Sequence, residues 1–265
     1  MAGNPVTKVT KMREIPETSK NYPGKALFLG PVKRLMSMII PVVPVLLAFT
    51  LYYLVISRPM MKIWLPDSGA GHPRQVALQR LAGVFFFGIL PLAWLLAARQ
   101  FTPQTTGTGP VSWTHTLPAI LLLCPVMYLT GYLSAHQAGN RKKYPQIRVN
   151  KWNGQLFLFN ALSWAAYLLA YEFLFRGYLL FSLYEAGGYW PAVGINVGIY
   201  ALVHLPKGWK ETAGAIPFGL VICVLTLHTG NILTAFLAHL TMALSTEYFA
   251  ILANPDMHFV SKRRL

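Results

Sequence analysis

The sequence predicts an all-α, polytopic transmembrane helical bundle, and three observations carry that prediction. Of the 265 residues, 54% are hydrophobic and only 12% charged, and the mean hydropathy is +0.44, beyond an ordinary soluble domain. Several apolar runs reach or approach the ~20 residues needed to span ~30 Å of hydrocarbon. The runs are separated by short basic or Gly/Pro-containing connectors, whereas a membrane barrel shows ~10-residue alternating segments.

In chain order the runs are Leu35–Ile56, Leu81–Ala98, Trp113–Ser134, Gln155–Leu183, Trp190–Leu205, Thr212–His228 and Ile232–Leu252. They make about seven membrane helices, and an eighth, re-entrant segment stays open. Residues 1–34 read as a basic, Pro-containing, flexible tail, 35–252 as one helical membrane domain and 253–265 as a basic C-terminal tail. The first apolar run is too long for the ~7–15-residue core of a signal peptide and no small-x-small cleavage site follows it, so it is expected to be retained. There is no repeat of fixed period, no low-complexity tract and no second soluble domain.

The formal charge is +15. Its Lys and Arg are spread through the connectors of a membrane protein, which points to lipid headgroups and topological anchoring, not to nucleic acid. Their count on the two sides favours a cytoplasmic C-terminus. Trp113, Trp152, Tyr189 and Trp190 fall near span ends, where interfacial anchors belong. Cys124 and Cys223 both lie within predicted spans and read as packing residues, with no CxxC metal motif.

The chemistry lies in the C-terminal half. Glu172 and Arg176 stand four residues apart in YEFLFRGYLLF, on one helix face and in the favourable order for an ion pair. Taken alone, such a pair serves equally well to pin neighbouring helices. His204 ends an apolar run before a Pro/Gly break, and His239 lies deep in another. Ionisable groups at membrane depth are costly and by default mark function. Three helices that each contribute one are most economically arranged around a shared polar cavity.

The order of these motifs resembles the CPBP family, which includes the type II CAAX prenyl endopeptidases and the bacteriocin-processing or immunity (Abi) membrane proteins. The residues that carry the resemblance are E-x-x-x-R-G (Glu172, Arg176, Gly177), an aromatic-x-x-x-His (Tyr200 to His204), and Thr229-Gly230-Asn231 followed by His239. It covers roughly residues 155–252, and each motif is weak until their order is considered. The resemblance implies an intramembrane endopeptidase in which a glutamate, assisted by a histidine, activates water for attack on a peptide carbonyl. Carried onto this sequence, it makes Glu172 the carboxylate, Arg176 its orienting partner, His204 the partner in water activation and His239 an oxyanion stabiliser or second water ligand.

Two positions depart from the family pattern. Where paired glutamates are usual, the first position is Tyr171, a poor base at neutral pH because a phenol titrates near ~10. Where the last motif usually ends in Asn or Asp, the residue is Ala243. Three readings follow: Glu172 acts as base itself, other groups replace the missing ones, or the chain is a non-catalytic relative. Glu211, after the Pro-Lys-Gly break, and Glu247, two turns beyond His239, are the candidate replacements, and Asn196 is a further candidate cavity residue.

No cofactor is expected. Zinc at Glu172, His204 and His239 is the competing reading, since a carboxylate and two imidazoles are zinc-ligand types, but no H-E-x-x-H occurs and the spacing dictates no coordination. His228 reads as an interfacial cap, and His72, His115, His136 and His258 as solvated residues of loops and helix ends. The leading expectation is a peptidase of a bacterial-type inner (cytoplasmic) membrane, with membrane lipids and a peptide or lipidated protein substrate as partners. The alternative is a non-catalytic membrane scaffold or bacteriocin-immunity protein. A transporter is weaker, because the sequence shows no repeated halves.

Overall fold

A computed structural model describes residues 30–260. Residues 1–29 of the predicted N-terminal tail and 261–265 of the C-terminal one lie outside the described residues. The elements are α1 (Pro31–Ile39), α2 (Val42–Val55), α3 (Arg58–Trp64), α4 (Pro73–Gly83) running through a π-helical turn (Val84–Ile89) into α5 (Leu90–Ala97), α6 (Trp113–Ala135), the short α7 (Ala138–Arg141) and strand β1 (Lys151–Trp152). Then come α8 (Gly154–Glu172), a second π-helical turn (Phe173–Leu179), α9 (Leu180–Gly187), α10 (Tyr189–Leu202), a 3₁₀ turn (Leu205–Lys207), α11 (Trp209–Thr229), α12 (Leu233–Leu252) and β2 (His258–Phe259).

The chain is an all-α polytopic bundle. Six helical stretches among the described residues are long and apolar enough to cross a membrane: Pro31–Val55, Pro73–Ala97, Trp113–Ala135, Gly154–Gly187, Trp209–Thr229 and Leu233–Leu252. The remaining predicted run, Trp190–Leu205, is helical only as the 14-residue α10. At 1.5 Å per residue it reaches about 21 Å, short of the ~30 Å core. Pro206 and Gly208 end it, the latter at φ +105°, a conformation that favours glycine.

Local signals set the helix ends. Pro31 and Pro73 occupy first-turn positions, where a missing N–H costs nothing. Both helices therefore start earlier than their apolar runs, and α4 takes Arg80 into the bundle. Asn153 caps α8 by accepting the Leu156 N–H at 2.8 Å, and Gly230 closes α11 in the left-handed conformation, φ +71°.

Leu121, Leu122 and Trp94 point outward from their spans, the pattern of a lipid-facing surface. Inside, Phe49, Phe87, Tyr167, Tyr171, Phe175 and Tyr200 pack edge to face and tilted around the C-terminal end of α8 and the π-helical turn that follows it. Helices α6 and α12 approach closely where Gly131 meets Ser245, the small-residue contact typical of membrane helices. Past α12 the chain returns to the bundle: β2 pairs in parallel with β1, Lys151 opposite His258 and Trp152 opposite Phe259.

Candidate active site

Glu172 is the last residue of α8, and the π-helical turn begins immediately after it. Such turns are concentrated at functional sites because the wider winding re-aims side chains and backbone groups. Here the Phe175 carbonyl accepts both the Leu180 N–H and the Asn196 side-chain amide, at 2.8 Å. The other end of Asn196 accepts from Cys223 Sγ at 3.2 Å. Asn196 is therefore spent on holding the turn from α10, and Cys223, a free cysteine, on holding Asn196 from α11.

The two carboxylate oxygens of Glu172 are divided between two partners. Oε1 accepts from His239 Nδ1 at 2.6 Å, and Oε2 faces Arg176 Nη1 at 3.2 Å. Both Glu172 and Arg176 are fully buried. The guanidinium lies over the Tyr200 ring, 4.2 Å from its centroid, a cation–π contact that strengthens when desolvated. One carboxylate, one guanidinium and a neutral imidazole sum to no net charge, which is how buried ions are tolerated.

His204 sits just beyond α10. Its Nδ1 donates to the Tyr200 carbonyl at 2.7 Å, and a carbonyl can only accept, so that nitrogen carries the proton. The same reasoning puts the proton of neutral His239 on Nδ1. In both rings the nitrogen left unprotonated is Nε2.

Both histidines line a cavity of about 680 Å³ between α6, α8, α11 and α12, together with Tyr171 and Tyr200. Tyr171 stands between the imidazoles, edge-on to His239 with ring centroids 5.7 Å apart and to His204 at 6.4 Å. Its hydroxyl is buried without a hydrogen-bond partner among the described residues. Ala243 also lines this cavity. Glu172 does not: it stands behind His239 and reaches the cavity only through that ring.

The other candidates separate. Glu211 lies at the cavity mouth, where Lys143 Nζ holds its Oε1 at 2.6 Å. Glu247 belongs to a different cluster. Its carboxylate accepts the Gln146 N–H at 3.0 Å and the Asn160 amide at 3.4 Å, while Arg80 donates to Gln146 Oε1, Asn160 O and Ser163 Oγ. This second network ties α4, α8 and α12 to the connector that precedes β1. The sequence reading missed Arg80 and Lys143. Arg80 was legible in principle, since Pro73 begins a helix whose register carries residue 80 into the apolar run; Lys143 carried no signal.

Among the described residues no three His, Cys, Asp or Glu side chains come together as a metal site. The donor set explains why: Glu172 is committed to His239 and Arg176, which leaves two imidazole nitrogens where catalytic zinc takes three protein ligands.

Residues 153–245, in the C-terminal half of the chain, are similar to the family model described as type II CAAX prenyl endopeptidase Rce1-like. The matched residues run from the cap of α8 into α12 and include Glu172, Arg176, His204 and His239. Comparison with curated proteins and with solved structures gives no match.

Proposed function

We propose that the protein is an intramembrane endopeptidase in which His239, held by Glu172, is the base that activates water. The observation that carries this reading is the 2.6 Å hydrogen bond from His239 Nδ1 to Glu172 Oε1, which commits one ring nitrogen and leaves Nε2 of a cavity-lining residue for water. In the reaction Nε2 takes a proton from water as the oxygen attacks the peptide carbonyl carbon. The imidazolium that results is stabilised by the Glu172 carboxylate, and its proton passes to the leaving amine as the C–N bond breaks. His204, which lines the same cavity, offers its Nε2 as a further acceptor to the bound substrate or water. Arg176 acts through Glu172, holding its second carboxylate oxygen in place.

The reading supposes no metal and assigns the substrate to membrane-associated peptides or lipidated proteins, in a bacterial-type inner membrane. Incubation of candidate transmembrane peptides with wild type, Glu172→Gln, His204→Ala and His239→Ala tests it. Loss of cleavage in His239→Ala is expected, and equal activity in all four would remove the site. A second reading, partner binding without cleavage, draws on Tyr171 and Ala243, cavity residues at positions where the family pattern is acidic or amidic. It predicts that Glu172→Gln keeps partner capture while no preparation, wild type included, hydrolyses the partner.

A further inference from the structure

The rim of the catalytic cavity is electrostatically one-sided. Lys207 and Lys210 line it where the 3₁₀ turn passes into α11. Glu211 beside them is the single acid among the described lining residues, and its charge is already matched by Lys143, whose Nζ also donates to the Lys207 carbonyl at 2.5 Å. Three ammonium groups thus face one carboxylate. Below them the walls are apolar, with Leu123, Met127, Leu168 and Met242. A cleft with charge of one sign and low-dielectric walls focuses its field into the opening and raises the local concentration of oppositely charged ligands.

We infer that this rim selects peptides bearing acidic side chains on the water-facing flank of the segment that enters the cavity, with Lys207 and Lys210 as the specificity-determining residues. The inference rests on the peptidase reading and narrows its substrate class. Basic residues at span ends also serve as headgroup anchors, and Lys33 and Lys62 provide the comparison: both are exposed and neither lines the cavity. Rim and anchor lysines therefore make opposite predictions under charge reversal.

The experiment uses the full chain in proteoliposomes and three dye-labelled peptides that share one apolar segment and differ in a Glu-, Ser- or Lys-containing flank. Wild type is expected to cleave the Glu peptide with kcat/KM about tenfold or more above the Lys peptide, the difference shrinking in high salt. Lys207→Glu/Lys210→Glu should reverse the order, Lys207→Gln/Lys210→Gln should flatten it, and Lys33→Glu/Lys62→Glu should leave it unchanged. Binding of the same peptides to His239→Ala, read by fluorescence anisotropy, reports the rim without the chemistry and should show the same order. If wild type cuts nothing but His239→Ala keeps the binding preference, the peptidase reading falls and the rim assignment stands. Cleavage with equal rates and equal binding for all three peptides overturns the rim assignment alone, and absence of both cleavage and binding preference overturns both.

Discussion

His239 on α12 donates its Nδ1 proton to Oε1 of Glu172 at the end of α8, at 2.6 Å, and His239 lines the cavity where Glu172 does not. In the proposed mechanism the carboxylate acts through the imidazole. Replacing it by the isosteric amide removes the charge that stabilises the imidazolium and allows the wrong tautomer. Glu172→Gln should lower kcat by on the order of 10³-fold or more with KM changed little, measured by steady-state cleavage of a transmembrane peptide.

Arg176 is expected to matter for folding as well as activity. Its removal leaves the Glu172 carboxylate buried beside no cation, a change that costs about 3–5 kcal/mol when a buried pair is broken. Arg176→Met should therefore lower the thermal midpoint in detergent strongly, and Glu172→Gln/Arg176→Met should recover part of that loss. A double variant no more stable than Arg176→Met would contradict the pairing.

The Glu247 cluster gives the opposite pattern. Glu247→Ala strands the Gln146 N–H and the Asn160 amide and removes the carboxylate nearest to Arg80, so it should cost about 2–4 kcal/mol of stability. Because this network does not line the cavity, kcat of the folded fraction should stay within a few-fold of wild type. Thermal unfolding and active-site-normalised kinetics on one preparation distinguish the two effects.

The fold was largely legible because helical spans announce themselves by apolar length, and the polar residues Glu172, Arg176, His204 and His239 stood out against that background. The roles within the site were less so. That Glu172 stands behind His239 depends on how α8 packs against α12, a contact between residues far apart in sequence. Asn196 looked like a cavity residue but holds the Phe175 carbonyl, since a π-helical turn has no periodicity to read. Glu247 shares the apparent helical face of His239, yet the buried Arg80 of α4 draws it into another network. The run ending in His204 looked long enough to span until Pro206 and Gly208 are seen to stop α10 early.

Packing between α6 and α12 offers a test of the bundle itself. A Cβ on Gly131 would collide with the Ser245 side chain and lie 2.9 Å from the backbone nitrogen of Thr246. Gly131→Ala should destabilise by about 1–3 kcal/mol, and Gly131→Ala/Ser245→Gly should recover part of it, as followed by thermal unfolding.

The central claim, that Glu172 and His239 work as one unit, is tested most directly by a double-mutant cycle on the rate of peptide cleavage with Glu172→Gln, His239→Ala and the two combined. Residues that act as a unit are strongly non-additive. The double variant should be no slower than His239→Ala alone; losses that multiply would mean that the carboxylate acts on water independently and would contradict the account.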